Sequence, residues 1–164
     1  WGREVKLPKE FDLDLTGLSV EKNLSNWSEL GVKTAEGDKL PIADIKASLI
    51  LPAGHKGPAF LVYENFRTIL DWNRSNFYAI AVGHLADRLA WQDPLKTPAI
   101  EETPLSRAQT LTIQSRLNEL GYDIGKPDGI AGAKTRKAIK QFQKSKGLPA
   151  DGYPSVELLP LLGS

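Results

Sequence analysis

What most limits the fold of this chain is a break in its middle. From Gln92 to Pro104 the run QDPLKTPAIEETP holds three prolines and two adjacent acids, and neither a helical nor a strand period survives it. At 164 residues the chain can bury one respectable core, or one partial core plus a small module, and residues 92–104 read as a stiff linker between residues 1–91 and a small module of residues 105–164. Formal charge divides with them: −3 over residues 1–104 and +4 over residues 105–164. Four positive charges are too few to indicate nucleic acid, and aromatic and basic residues do not interleave on a common face. They suit a partner rich in carboxylates. No apolar run approaches a membrane span and no signal peptide is present. The absence of Cys excludes disulfides and thiolate metal sites, which fits a periplasmic protein.

Residues 1–62 read as a small mixed β-containing unit. Glu4–Leu7 and Phe11–Leu15 alternate polar and apolar residues, the period of half-buried strands. Ser19 is expected to cap a helix through Leu30, with Val20, Leu24, Trp27 and Leu30 on one face and Gly31 ending it. Trp27 is then a core anchor. Ala47–Leu51 and Ala59–Tyr63 are apolar runs of strand length around a Pro/Gly turn, a hairpin signal. His55 in that turn and His84 further on stand alone in sequence, so neither suggests a metal or catalytic pair. No cofactor is implied.

Residues 63–91 read as core helices. A short one directs Phe66, Ile69 and Leu70 inward. A long one begins near Ser75, where Tyr78, Ala81, Val82, Leu85 and Leu89 make one apolar stripe and Ala79, Gly83, Ala86 and Ala90 a second stripe of small residues, along which another backbone is expected to pass. Between the helices, Trp72, Asn73, Arg74 and Ser75 put rings and polar groups on a tight bend. Pattern alone is satisfied by an ordinary helix corner with Ser75 as its cap.

The run Trp72-Asn73-Arg74-Ser75-Asn76-Phe77-Tyr78-Ala79-Ile80-Ala81-Val82 resembles the Tyr-Asn-x-Ser-x-x-Tyr-Ala-x-Ala-Val segment of the membrane-bound lytic murein transglycosylase B family, which is glycoside hydrolase family 103-like. Trp1-Gly2-Arg3-Glu4-Val5 resembles a Pro-Trp-Gly-x-Glu-Val segment from the middle of that family. The resemblance implies an α+β fold, with a partial lysozyme-like core and the small β subdomain. Its sugar groove would be closed by Trp72, Asn73, Ser75 and Tyr78, with Asn73 and Tyr78 facing the glycan. Trp72 stands where the family often has Tyr; it can stack on a sugar but cannot donate a phenolic hydrogen bond.

After the linker, Ser106 and Gln109 have capping-box spacing, and Thr110, Ile113, Leu117 and Leu120 form a stripe ending at Gly121. A second helix to about Lys146 buries Thr135, Ala138, Ile139 and Phe142, and Val156, Leu158, Leu159 and Leu162 supply a short third. Leu120-Gly121-Tyr122, Asp128-Gly129-x-x-Gly132-x-x-Thr135, Ala138-Ile139-x-x-Phe142-Gln143 and Gly147-Leu148-Pro149-x-Asp151-Gly152 resemble the family 1 peptidoglycan-binding domain along its length. Tyr122, Asp128, Lys134, Arg136 and Lys137 are the candidate contacts there. Asp128 also reads as an Asx-turn residue and the basic helix face as a merely solvated one.

Glycosidic cleavage needs a proton donor at the leaving oxygen, a carboxylic acid kept neutral by apolar surroundings. Lytic transglycosylases, by resemblance, use a single Glu, because the C6 hydroxyl of the muramyl residue attacks its own anomeric carbon. Non-hydrolytic cleavage of the MurNAc-GlcNAc β-1,4 bond then gives 1,6-anhydro-muropeptides. In the family that Glu lies upstream of the Trp-Gly segment, and nothing here matches its motif. Glu64 and Asp71, flanking the short helix, are the only candidates for it in the recognised stretch, and Glu64 suits a helix N-terminus.

The expectation is a fragment, without Met and lacking the general acid, that binds cell wall and cleaves it poorly. The stripe from Tyr78 to Leu89 would then be exposed unless it is covered by the missing N-terminal segment of the same protein or by self-association. The expected partners are glycan strands and stem peptides, with no nucleic acid, and the expected location is periplasmic, any membrane anchor lying in the absent N-terminus. A non-catalytic peptidoglycan-binding protein is the alternative.

Overall fold

The computed structural model describes residues 1–98 and 103–163, and the chain forms two compact units, Trp1–Ala99 and Ile100–Ser164. The fold class is α+β.

In the first unit, β1 (Gly2–Lys6), β2 (Lys22–Asn23), β3 (Lys33–Thr34), β4 (Lys46–Ile50) and β5 (Ala59–Val62) make one antiparallel sheet in the order β2-β4-β5-β1-β3. The expected hairpin is β4–β5. Its uninterrupted apolar character has a cause: Leu49, Ala59 and Leu61 enter one cluster with Trp27, whereas Ile50, Phe60 and Val62 enter another with Phe66 and Ala79. A sheet covered on both faces leaves no polar side to alternate. Trp27 is fully buried and donates its indole N–H to the Ala47 carbonyl at 3.0 Å, so its one polar atom is satisfied.

Two expectations fail here, one for a local reason and one because of a pairing across the chain. Phe11–Leu15 is not a strand: Asp12 Oδ1 accepts the Asp14 N–H at 2.9 Å and closes a 3-10 turn over Leu13–Leu15, a hydrogen bond that competes with any ladder. Ser19 caps nothing, because Lys22 and Asn23 pair with β4. Helix α1 therefore spans only Leu24–Glu29, and Leu30 is exposed.

Helix α2 (Glu64–Trp72) and helix α3 (Asn76–Leu89) follow. Arg67 ties α2 to the sheet side, donating to the Leu18 carbonyl at 2.7 Å and to Ser48 Oγ at 2.8 Å. The face of α3 turned inward is the small-residue stripe, and what passes close to it is a ring rather than a backbone. A Cβ on Gly83 would lie 2.3 Å from Cγ of Trp1, so the indole can sit there only because that side chain is missing. Asp87 holds the same indole by its N–H at 2.7 Å. The apolar stripe Tyr78, Val82, Leu85 and Leu89 is exposed, as expected where nothing covers it. Ala86 and Ala90, assigned to the small stripe, are exposed as well.

The start of the expected linker is docked, not free. Glu4 accepts the backbone N–H groups of Lys96 and Thr97 at 2.6 and 2.8 Å, and Leu95 packs on the Phe60–Phe66 cluster. Residues 99–102 of that stretch lie outside the described residues.

The second unit holds helices α4 (Arg107–Glu119), α5 (Ala133–Ser145) and α6 (Leu158–Leu161). Ser106 and Gln109 form both bonds of the capping box. The core is Ile113, Leu117, Ile124, Ala138, Ile139, Phe142, Leu158 and Leu162. Leu120, expected in the apolar stripe, is exposed, because the chain turns at Gly121 with φ 87° and carries it past the core, and Val156, expected in the short third helix, precedes α6 and is exposed.

Candidate functional site

The bend between α2 and α3 is built from its own polar side chains. Asn73 closes α2, its N–H reaching the Ile69 carbonyl, and its Oδ1 accepts the Ser75 N–H at 3.1 Å in an Asx turn. Ser75 then caps α3, its Oγ accepting the Tyr78 N–H at 3.3 Å. Those bonds orient the side chains around them. Trp72 is 87% exposed and Tyr78 40% exposed, and Asn73 lies on the surface with its Nδ2 donors still to offer a ligand. All four cleft candidates, Trp72, Asn73, Ser75 and Tyr78, thus meet within one turn, with Ser75 spent on capping. From this bend the exposed stripe Val82, Leu85 and Leu89 runs along α3.

Glu64 occupies the first turn of α2 and is exposed; Asp71 is exposed as well. Neither is enclosed by the apolar surroundings that would keep a carboxylic acid neutral at neutral pH.

On the opposite face of α3 is a cavity of about 550 Å³, lined among others by Arg3, Tyr63, His84, Asp87, Trp91 and Lys96. Burial raises the pKa of the Tyr63 hydroxyl, with Arg3 opposing it. Sequence reasoning did not foresee this space, since it assigned residues 92–104 to a linker and so gave the cavity no wall. His55 is exposed in its loop.

The second unit treats its candidates differently. Asp128 Oδ1 accepts the Ile130 N–H at 2.8 Å and the Gln114 Nε2 at 3.0 Å; these bonds, Gln114 foremost, hold its carboxyl below the usual value. Gln114 is buried and also gathers the Ile130 carbonyl and Thr135 Oγ1, while its Oε1 accepts the N–H groups of Asp128 and Gly129. Gln143 repeats the device: Nε2 donates to Asp151 Oδ1 and Oε1 accepts the Gly152 N–H, both at 2.8 Å. Neither Gln entered the sequence analysis as a structural group. The signal available was a lone amide inside each apolar stripe, at Thr110-Ile113-Gln114-Leu117 and Ile139-Phe142-Gln143, followed in each case by an Asp-Gly pair.

Tyr122 packs edge-on against Phe142 and its hydroxyl meets Ser145 Oγ at 3.3 Å. Arg136 is not on the exposed basic side. It is half-buried, its guanidinium 6.0 Å from the Tyr153 ring centroid, and burial lowers its pKa against the opposing effect of Tyr153 and Asp151. Lys134 and Lys137 are exposed, three residues apart on α5.

Comparison with known proteins matches these two regions separately. The transglycosylase SLT domain family matches residues 1–87, and a peptidoglycan binding domain family matches residues 106–162. Two crystal structures of SltB3 from Pseudomonas aeruginosa are similar to 99% of this chain. The one in complex with NAG-anhNAM-pentapeptide is 48% identical with a TM-score of 0.92, and the one in complex with NAG-NAM-pentapeptide is 46% identical with a TM-score of 0.90. The chain spans 44% of the length of either. A 56-residue stretch is 39% identical to N-acetylmuramoyl-L-alanine amidase CwlM of Mycobacterium tuberculosis (strain ATCC 25618 / H37Rv), covering 34% of this chain and 14% of that protein. The family match takes in more than half of the residues, from the Trp1 strand through the bend and most of α3, and on that footing the chain belongs to the transglycosylase SLT domain family, with a peptidoglycan binding domain behind it.

Proposed function

We propose that this chain is part of a peptidoglycan lytic transglycosylase, cleaving MurNAc-GlcNAc β-1,4 bonds without water to give 1,6-anhydro-muropeptides. The observation that carries the reading is the bend. Two rings and an amide are held outward by an Asx turn and a helix cap, within a stretch similar to a structure solved with an anhydro-muropeptide. Trp72 and Tyr78 supply stacking faces for pyranose rings and Asn73 a donor for hydroxyl or acetamido oxygens. Among the candidates in the second unit, Lys134 and Lys137 are the two exposed charges with no hydrogen bond, ion pair or ring contact to the described residues. They meet stem-peptide carboxylates, each exposed pair contributing at most about 1 kcal/mol. Tyr122, Asp128 and Arg136 shape the module.

The general acid is supplied by a Glu outside this sequence. With Glu64 and Asp71 both exposed, the chain by itself acts as a non-catalytic peptidoglycan-binding protein, the second reading. Beyond Tyr78, the stripe Val82, Leu85 and Leu89 is the face onto which the rest of a longer polypeptide folds, or a second copy if none is present. Its place of work is outside the cytoplasm, at the cell wall, and we assign it to the periplasm, with any membrane anchor carried by sequence before Trp1.

The test is to incubate the purified chain with isolated sacculi, pellet them, and analyse the supernatant by mass spectrometry. The chain should co-sediment and release no anhydro-muropeptides. Release that Glu64→Gln abolishes would place the acid in this chain and overturn the assignment.

A further inference from the structure

The cavity on the far side of α3 has no part in the bend, and its construction calls for a separate account. Its volume, about 550 Å³, is that of a small-molecule site. It is also preformed. The strap 91–97 that closes one side is pinned by the two hydrogen bonds from Lys96 and Thr97 to Glu4, by Leu95 in the core, and by Lys96 Nζ between Asp93 at 3.2 Å and Glu36 at 3.9 Å.

Trp91, at the rim, is the odd residue. It follows the end of α3, where its N–H bonds the Arg88 carbonyl and that of Gln92 bonds the Asp87 carbonyl at 2.9 Å, a Schellman ending. That motif needs a left-handed residue, and Trp91 takes φ 59°. The ten other left-handed residues among those described are all glycines. A bulky side chain is disfavoured in this conformation, and Trp91 recovers nothing by packing, since it is 95% exposed. Among the described residues nothing packs on this indole, and a ligand seated in the groove would.

The charges of the wall narrow the ligand class. The carboxylates of Glu4, Glu36, Asp87 and Asp93 already accept hydrogen bonds or ion pairs from the strap, from Trp1, or from Arg3 and Lys96. Carboxylates outnumber those two cations, which disfavours an anionic stem peptide. An aromatic platform beside mutually satisfied charges, with the His84 imidazole in the wall, suits a neutral polyhydroxylated ring with one flat apolar face.

We propose that this groove is a second saccharide site, separate from the bend, taking an N-acetylated amino sugar of the glycan strand with its face on Trp91. The choice of glycan rests on the peptidoglycan reading; the existence of a site rests on Trp91 and the groove.

Chitotriose, the trimer of N-acetylglucosamine, is the probe, followed on this chain by indole N–H resonances and by calorimetry. Chitotriose should shift the Trp91 resonance. Trp91→Gly should abolish that part of the binding, at least a tenfold loss in affinity for the groove, while raising Tm by about 4 °C because glycine accepts the left-handed turn. Trp91→Phe should keep most of the affinity. The proposal is overturned if Trp91→Gly binds as tightly as the parent chain, if chitotriose leaves the Trp91 resonance unmoved, or if an isolated stem tripeptide moves it more than chitotriose does. Trp72→Ala reports on the bend alone, so a failure of the cleft reading and a failure of the groove show up in different variants.

Discussion

The two units put the same kind of residue, a side-chain amide at a turn, to opposite uses. In the second unit the amides of Gln114 and Gln143 are buried, and each clamps an Asp-Gly turn with both ends of its side chain. In the first, Asn73 gives only its Oδ1 to the turn and keeps its donors at the surface beside Trp72 and Tyr78. A polar residue in a recognisable motif is thus evidence of function only when the fold has not already consumed its hydrogen-bonding groups. By that measure Asp128 and Tyr122 belong to architecture, and Trp72, Asn73 and Tyr78 remain available.

The sharpest way to break this contrast is Gln114→Ala. It removes every bond of the clamp at once and leaves the N–H groups of Asp128 and Gly129 without their acceptor. A loss of about 3 kcal/mol is expected, lowering Tm of the second unit by more than about 10 °C in calorimetry. Gln143→Ala, with fewer bonds, should cost about 2 kcal/mol. If either variant melts like the parent, the amides are bystanders and the motif residues of this unit are open again as ligand contacts.

Gly83→Ala tests the packing that holds α3, and with it the bend. The added methyl would lie 2.3 Å from the Trp1 ring, so the indole must move, at a cost of about 2 kcal/mol to the first unit by thermal denaturation. Trp72→Ala and Tyr78→Ala should do the reverse of the glutamine changes: stability within about 0.5 kcal/mol of the parent, and severalfold weaker binding of the chain to chito-oligosaccharides. A bend variant that unfolds the unit, or that binds undiminished, would make the bend structural like the Asp-Gly turns.

Much of this contrast was legible in the sequence. Ser75 and the Ser106–Gln109 box were readable because caps are local chemistry, fixed by a few neighbours. Trp27 was readable from its helical spacing, and the β4–β5 hairpin because two apolar runs of strand length flank a Pro/Gly turn. Apart from the local Asp12 turn, the failures needed information from across the chain. Lys22 and Asn23 are a strand because β4 lies beside them, against helix signals beginning at Ser19. What packs on the small-residue stripe of α3, a ring and not the expected backbone, was likewise set from the far end of the chain. Only Ala79 and Gly83 let Trp1 and the sheet approach, whereas the larger Tyr78, Val82, Leu85 and Leu89 are left outside. The bend's exposure, on which the site depends, is invisible to any pattern of apolar spacing.

The smallest expected effect sharpens the comparison on the other side. The carboxyl of Asp128 is held below its ordinary value of 3.8, chiefly by the Gln114 amide and then by the Ile130 N–H. A group whose folded pKa is depressed stabilises the fold above its unfolded pKa, and that contribution is lost as pH falls through the folded value. The second unit should therefore lose a little stability as pH drops below about 4, and Asp128→Asn, which keeps an acceptor for the clamp but cannot ionise, should flatten that acid limb while shifting the neutral-pH Tm only slightly. Urea melts of the two proteins between pH 5 and pH 2 make the comparison. Parallel acid limbs would mean that the charge of Asp128 is not engaged by Gln114 and is free to meet a ligand, which would move this residue from the architecture of the turn back to the surface that binds.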